Sequence, residues 1–267
     1  MRFETLRLDL DDRGVALLRL TRPEKRNALS ATMIAELTEA AARLGADRDI
    51  RAVVLAAEGE VFCAGADLGW MMAQIEADRA GRMREARKLA EMLSALNEMP
   101  KPLIGRVHGD ALGGGVGLMA VCDVVVAAER ATFGLTETRL GLIPATIGPY
   151  VLARLGEGMA RRVFMSARLF GAGEAERLGL VARVVATDDL DAAVAGEVAP
   201  YLGAASNAVA AAKAQARSLG PRIDAEVIDA SIARLADVWE GAEAREGIAA
   251  FLEKRPAPWA TGGRNGA

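Results

Sequence analysis

Three features of the 267-residue chain carry chemistry-bearing residue types at suggestive spacing. Cys63-Ala64-Gly65-Ala66-Asp67 and Leu112-Gly113-Gly114-Gly115-Val116-Gly117 are glycine-rich turns, each placed just before a stretch that reads as a helix. Small residues let a backbone approach a ligand closely, and the first N–H groups of a helix have no partner inside it. Two such turns could therefore offer two amides to one developing oxyanion, where losing one donor typically costs roughly 10²–10³ in rate. The alternative is tight strand–helix packing, which also calls for glycine. Glu137 stands alone in a third segment, GLTETRLGLIP. A loop glutamate is ordinarily a solvated charge, but in an apolar pocket it could carry protons.

Other chemistries fit poorly. A dinucleotide-binding GxGxxG starting at Gly113 would need glycine where Leu118 stands, and no GxxxxGK is present. One histidine and two distant cysteines argue against a metal cluster, and the absence of GxSxG argues against a Ser-His-Asp hydrolase. Cys63 and Cys122 read as buried free thiols in apolar sequence. The net charge of −3 does not suit a general nucleic-acid binder. No apolar run approaches the ~20 residues of a membrane span, and the start has no secretory apolar segment. A cytoplasmic protein is expected.

Elements that could position these turns follow from periodicity. Residues 3–10 and 14–21 read as strands of a hairpin joined through Asp11-Asp12-Arg13. Helical spacing puts Met33, Leu37, Ala40 and Leu44 on one face of a helix from about Ser30. Strands are expected over 51–59, 103–109, 122–129 and 180–186, and helices from Met83 to Met99, at the triple glycine, and from about Pro149 to Met165. Alternating strands and helices make the class α/β. From Ala204 the strand signal ends and three helical stretches follow, so we expect a core over 1–203, a helical region over 204–259 and a disordered tail over 260–267.

RPEKRNAL, FCAGADL, VHGDALGGGVGL, the CD opening the next strand, FGLTETRLGLIP and AFLEKR resemble, in content and order, the enoyl-CoA hydratase/isomerase family, the crotonases. The resemblance spans about Phe3 to Trp259 and implies a spiral of ββα turns, a C-terminal helical trimerisation region, and trimers or dimers of trimers. It implies an acyl-CoA thioester as substrate, with CoA entering only as part of that substrate and no metal or other cofactor. Carried onto this chain, it makes the amides of Ala66 and Gly114 the oxyanion hole and Glu137 the acid/base. It places Ala64, Asp67 and Leu68 along the CoA path, Lys25 and Arg26 near the CoA phosphates, and Phe251 and Lys254 at a C-terminal CoA contact. Trp70, Met71, Met72 and Tyr150 are candidates to line the acyl pocket.

One position departs from the pattern. The family's hydratases use two glutamates, and the first would fall at Gly117. One carboxylate suffices for isomerisation of a 3-enoyl to a 2-enoyl thioester, and can also hydrate if other groups place the water. GGGVGL, LTETRLGLIPA, IGPYV and AGADLGWM further resemble a bacterial subgroup associated with 3-methylglutaconyl-CoA hydration in leucine breakdown. The expectation is thus a hydratase, with an isomerase as alternative and a non-catalytic CoA-binding or RNA-associated scaffold as a third reading.

Overall fold

A computed structural model describes residues 3–260 of the chain. The expected tail lies, apart from Ala260, outside the described residues. The chain opens with a hairpin, β1 (Leu6–Leu10) and β2 (Val15–Leu20), whose turn is closed by Asp11 accepting the amides of Arg13 and Val15 at 2.9 Å each. Ser30 then caps α1 (Ala31–Ala46) by accepting the Met33 amide. Its buried face is Met33, Ile34, Leu37, Ala40, Ala41 and Leu44, the stripe that 3.6-residue spacing requires.

β3 (Ala52–Ala57) is buried at every position, as a parallel strand covered on both faces must be. After α2 (Leu68–Glu76), α3 (Arg79–Glu98) and β4 (Leu103–Val107) come β5 (Ala111–Leu112), α4 (Gly114–Ala120), β6 (Val124–Ala128) and β7 (Thr132–Gly134). A 3-10 turn over Glu137–Leu140 leads to α5 (Gly148–Leu155) and α6 (Glu157–Phe164). Here a single helix was expected. Gly156, at φ 72°, breaks it into two, since no right-handed helix continues through that conformation. β8 (Leu169–Gly171), α7 (Ala172–Arg177), β9 (Arg183–Val185) and α8 (Leu190–Leu202) follow. The described chain closes with α9 (Ser206–Leu219), α10 (Ala225–Trp239) and α11 (Ala242–Leu252).

The main sheet runs β1-β2-β3-β4-β6-β9, antiparallel only at β1–β2, and β5-β7-β8 form a small second sheet. One face of the main sheet joins α1 and α3 in the principal core through Leu18, Leu55, Val107 and Leu93. The other face, Val15, Val54, Ile104 and Val126, is covered by Leu190, Val194 and Val198 of α8. Both cysteines are buried in this core, and burial pushes each thiol up to about 12.

Polar ties join the later helices to the sheet. Lys213 of α9 donates to Asp123 Oδ2 at 2.8 Å and to Lys101 O at 3.0 Å, and Asp123 also accepts the Leu103 amide. Lys213→Met is expected to lower unfolding free energy by about 1–2 kcal/mol, because a partly buried charge-assisted contact is lost. A shifted urea midpoint with an unaltered m-value checks this.

Candidate active site

The site is assembled mostly by backbone. Residues 26–29 and 64–67 run side by side: Ala64 N–H donates to Arg26 O at 3.0 Å, Leu29 N–H to Gly65 O at 2.8 Å, and Asp67 N–H to Leu29 O at 3.1 Å. The Ala66 amide falls between these bonds and, among the described residues, makes none itself. Gly113, whose own amide donates to Gly134 O at 2.8 Å, leads into α4. Gly114 is the first residue of that helix, where no intrahelical acceptor exists for its N–H. The two unpaired amides stand on turns in contact: a β-carbon on Gly65 would lie 3.0 Å from Leu112 O and 3.7 Å from Gly114 N. Gly113 sits at φ 47° and ψ −112°, a combination that side chains resist.

Glu137 closes the arrangement from the third segment. A β-carbon on Gly113 would meet Glu137 Oε1 at 3.0 Å and Gly65 Cα at 3.9 Å. All three expected segments therefore converge. Glu137 as a residue is half-buried, but its Oε2 is enclosed and has no hydrogen-bond partner among the described residues. Burial of the carboxylate pushes its pKa from 4.5 up to about 7, against a smaller opposing contribution from its own backbone amide. Such a group exchanges protons readily near neutrality.

Position 117 is lined by apolar atoms. A β-carbon on Gly117 would stand 2.5 Å from Ile147 Cγ2 and 3.7 Å from Leu93 Cδ1. The branched side chain of Ile147, on the residue that precedes α5, fills the space where a second carboxylate's stem would begin. Sequence reading passed over Ile147. It also passed over Asn27, fully buried, whose side-chain amide donates to Glu58 O and Val61 O and whose oxygen accepts the Arg22 amide. Arg26 and Asn27 both adopt φ 52°, and asparagine's tolerance of that region was the available signal.

Other expected residues take several places. Lys25 and Arg26 are exposed in the turn whose backbone holds Ala64. Leu68 and Met72 are solvent-exposed on α2, and Met71 is half-buried. Trp70 lines a small cavity together with Gln74, Arg82 and Trp239. Phe251 and Lys254 are exposed at the end of α11.

One expectation is corrected. Tyr150 is only 2% exposed and its hydroxyl donates to Ala90 O at 3.1 Å, so it is a satisfied core residue between α3 and α5 rather than a pocket wall. Asp67, expected along the CoA path, has its carboxylate engaged within the protein. Its Oδ1 caps α2 by accepting Gly69 N–H at 2.8 Å, and its Oδ2 pairs with Arg22 at 3.0 Å.

Glu137→Gln should reveal the cost of this burial. Below pH 4.5 the carboxyl is protonated in folded and unfolded chains alike. Between 4.5 and about 7 the unfolded chain ionises while the folded one keeps its proton, so wild-type stability declines. The variant is therefore expected to be more stable by up to about 3 kcal/mol above pH 7 and to lose that advantage below pH 4.5. Chemical denaturation across pH 4–8 measures the difference.

The family profile for enoyl-CoA hydratase/isomerase matches residues 11–262. A crotonyl-CoA hydratase of Syntrophomonas wolfei is 34% identical over 265 residues, covering 96% of this chain and 98% of the relative. The crystal structure of an enoyl-CoA hydratase from Mycobacterium avium superposes with a TM-score of 0.82 at 32% identity, covering 96% of this chain and 98% of that one. That of an enoyl-CoA hydratase from Mycobacterium smegmatis does so with a TM-score of 0.78 at 37% identity, covering 97% and 100%. With its α/β architecture shared across such structures and a profile match over nearly its whole length, the chain belongs to the enoyl-CoA hydratase/isomerase family, the crotonases.

Proposed function

We propose that the protein hydrates the 2,3 double bond of an enoyl-CoA thioester, with Glu137 as its acid/base. The observation that carries this reading is the enclosed Glu137 carboxylate beside two unpaired backbone amides. The relatives named as hydratases support it. In this reading the amides of Ala66 and Gly114 donate to the thioester oxygen. Glu137 takes a proton from water as the hydroxyl oxygen bonds to C3. The π electrons move to C2 and are held as enolate on the thioester oxygen. Glu137 then returns its proton at C2, so hydrogen and hydroxyl are both accounted for and the glutamate is regenerated.

A second reading has its own observation. Ile147 and Leu93 surround position 117, so no carboxylate stands there to hold water. A lone proton carrier against an apolar wall also suits transfer of a proton from C2 to C4 of a 3-enoyl thioester. The two reactions differ spectroscopically: hydration removes the conjugated enoyl-thioester absorbance and isomerisation creates it. Turnover on crotonyl-, 3-methylglutaconyl- and 3-hexenoyl-CoA decides between them and sets chain length and branching. A trimer or dimer of trimers belongs to the same proposal, supported by α9, which carries no buried residue in the single chain.

Glu137→Gln is expected to lower kcat on the preferred substrate by roughly 10²–10⁴. In the wild type, kcat/KM is expected to fall on acidification below about pH 7, where the free enzyme's base becomes protonated. Near-wild-type turnover by the variant would overturn the assignment. Thioester binding without turnover on any chain of the panel would indicate the non-catalytic scaffold instead.

A further inference from the structure

Glu137 begins a 3-10 turn of only four residues, too short an element to hold a buried carboxylate by itself. What braces the turn is the C-terminal segment of the same chain. Gly247 of α11 packs so closely that a β-carbon there would stand 2.5 Å from the carbonyl carbon and oxygen of Leu140. The contact is reciprocal one residue further on, where a β-carbon on Gly141 would lie 2.6 Å from the carbonyl atoms of Glu243. Helix and turn thus meet backbone to backbone. Leu140 also packs against the cluster of Leu142, Trp239, Ala244 and Ile248.

Beyond α11 the chain reverses at Lys254, φ 54°, and Arg255 pairs with Glu246 at 2.6 Å. Trp259 then comes back to the turn, where its indole N–H donates to Arg139 O at 3.3 Å. Residues 139, 140 and 141 are each held by a different contact from this one segment.

We infer that Gly247 and Trp259 are positioning residues for Glu137: the α11 crossing and the returning tail fix the 3-10 turn so that the carboxylate stays against Gly113. The inference rests on the reading of Glu137 as the acid/base. Charged groups on the packed elements do not replace burial as the source of its raised pKa. Arg139, Glu243 and Arg245 are solvent-exposed, and Glu246 is engaged by Arg255, which also pairs with Glu253. Loosening the brace therefore admits water, which favours the ionised carboxylate.

The test compares full-length Gly247→Ala, Trp259→Phe and Gly196→Ala with wild type. Gly196 is an exposed position of α8 where a β-carbon meets nothing within 4 Å, so its variant should match wild type in kcat and in the pH limb. Gly247→Ala is expected to lower kcat by roughly 10- to 100-fold with little change in KM, because a displaced proton carrier misses its geometry. The acidic limb of kcat/KM should move below pH 7, towards 4.5. Trp259→Phe keeps the ring and removes the N–H, and should shift the same limb in the same direction by less. If Gly247→Ala does not fold, Trp259→Phe decides alone. Lowered thermal midpoints with kcat and the pH limb unmoved would overturn the inference by showing a merely structural role. Failure of the acid/base reading is separately visible, because Glu137→Gln would then retain turnover.

Discussion

Enclosing the unpaired Glu137 Oε2 costs about 1–3 kcal/mol by the usual penalty for an unsatisfied buried polar group, and more once the group is charged. The fold meets that cost with neutral surroundings and rigid backbone rather than with a countercharge. Gly113 lies against one carboxylate oxygen, two free amides stand nearby, and α11 packs on the turn from outside. A lysine or arginine beside the carboxylate would have relieved the penalty and lowered its proton affinity, removing the property that acid/base work needs. Under the proposed function, stability given up at one residue is thus linked directly to its chemistry.

The unpaired amides follow the same logic. Arg26 and Leu29 bond to Ala64, Gly65 and Asp67 around Ala66 and leave that one N–H unused. Asn27 anchors the loop behind them, and Arg22 joins it to Asp67, the cap of α2. Donors held this way need little reorganisation when charge develops on a ligand oxygen. At Gly117 the opposite choice has been made: Ile147 takes the space, and no carboxylate stands at that position.

Much of the fold was legible because its long elements have strong local patterns. Ser30 followed by the Met33, Leu37, Ala40 and Leu44 stripe locates α1, and unbroken apolar residues locate β3. The sequence turns CAGAD and GGGVG also reach the structure as neighbours. The small sheet was not legible, since β5 has two residues and β7 and β8 three each, too few to show a period. Nor could spacing reveal that Ile147 covers Gly117, that Tyr150 buries its hydroxyl on Ala90, or that α11 braces residues 139–141. Those are tertiary contacts between segments tens of residues apart. Glu137 itself looked like any surface glutamate until a family resemblance singled it out, and the structure supplies the physical reason in its burial.

The most direct test of this account is the protonation of Glu137 itself in the ligand-free protein. Infrared difference titration of its carboxyl stretch, with Glu137→Gln as the reference, reads that one group. The account predicts a midpoint near pH 7, in keeping with an enclosed carboxylate that has no countercharge. A midpoint near the ordinary 4.5 would contradict it, showing the group to be solvated and the enclosed site not to exist as described.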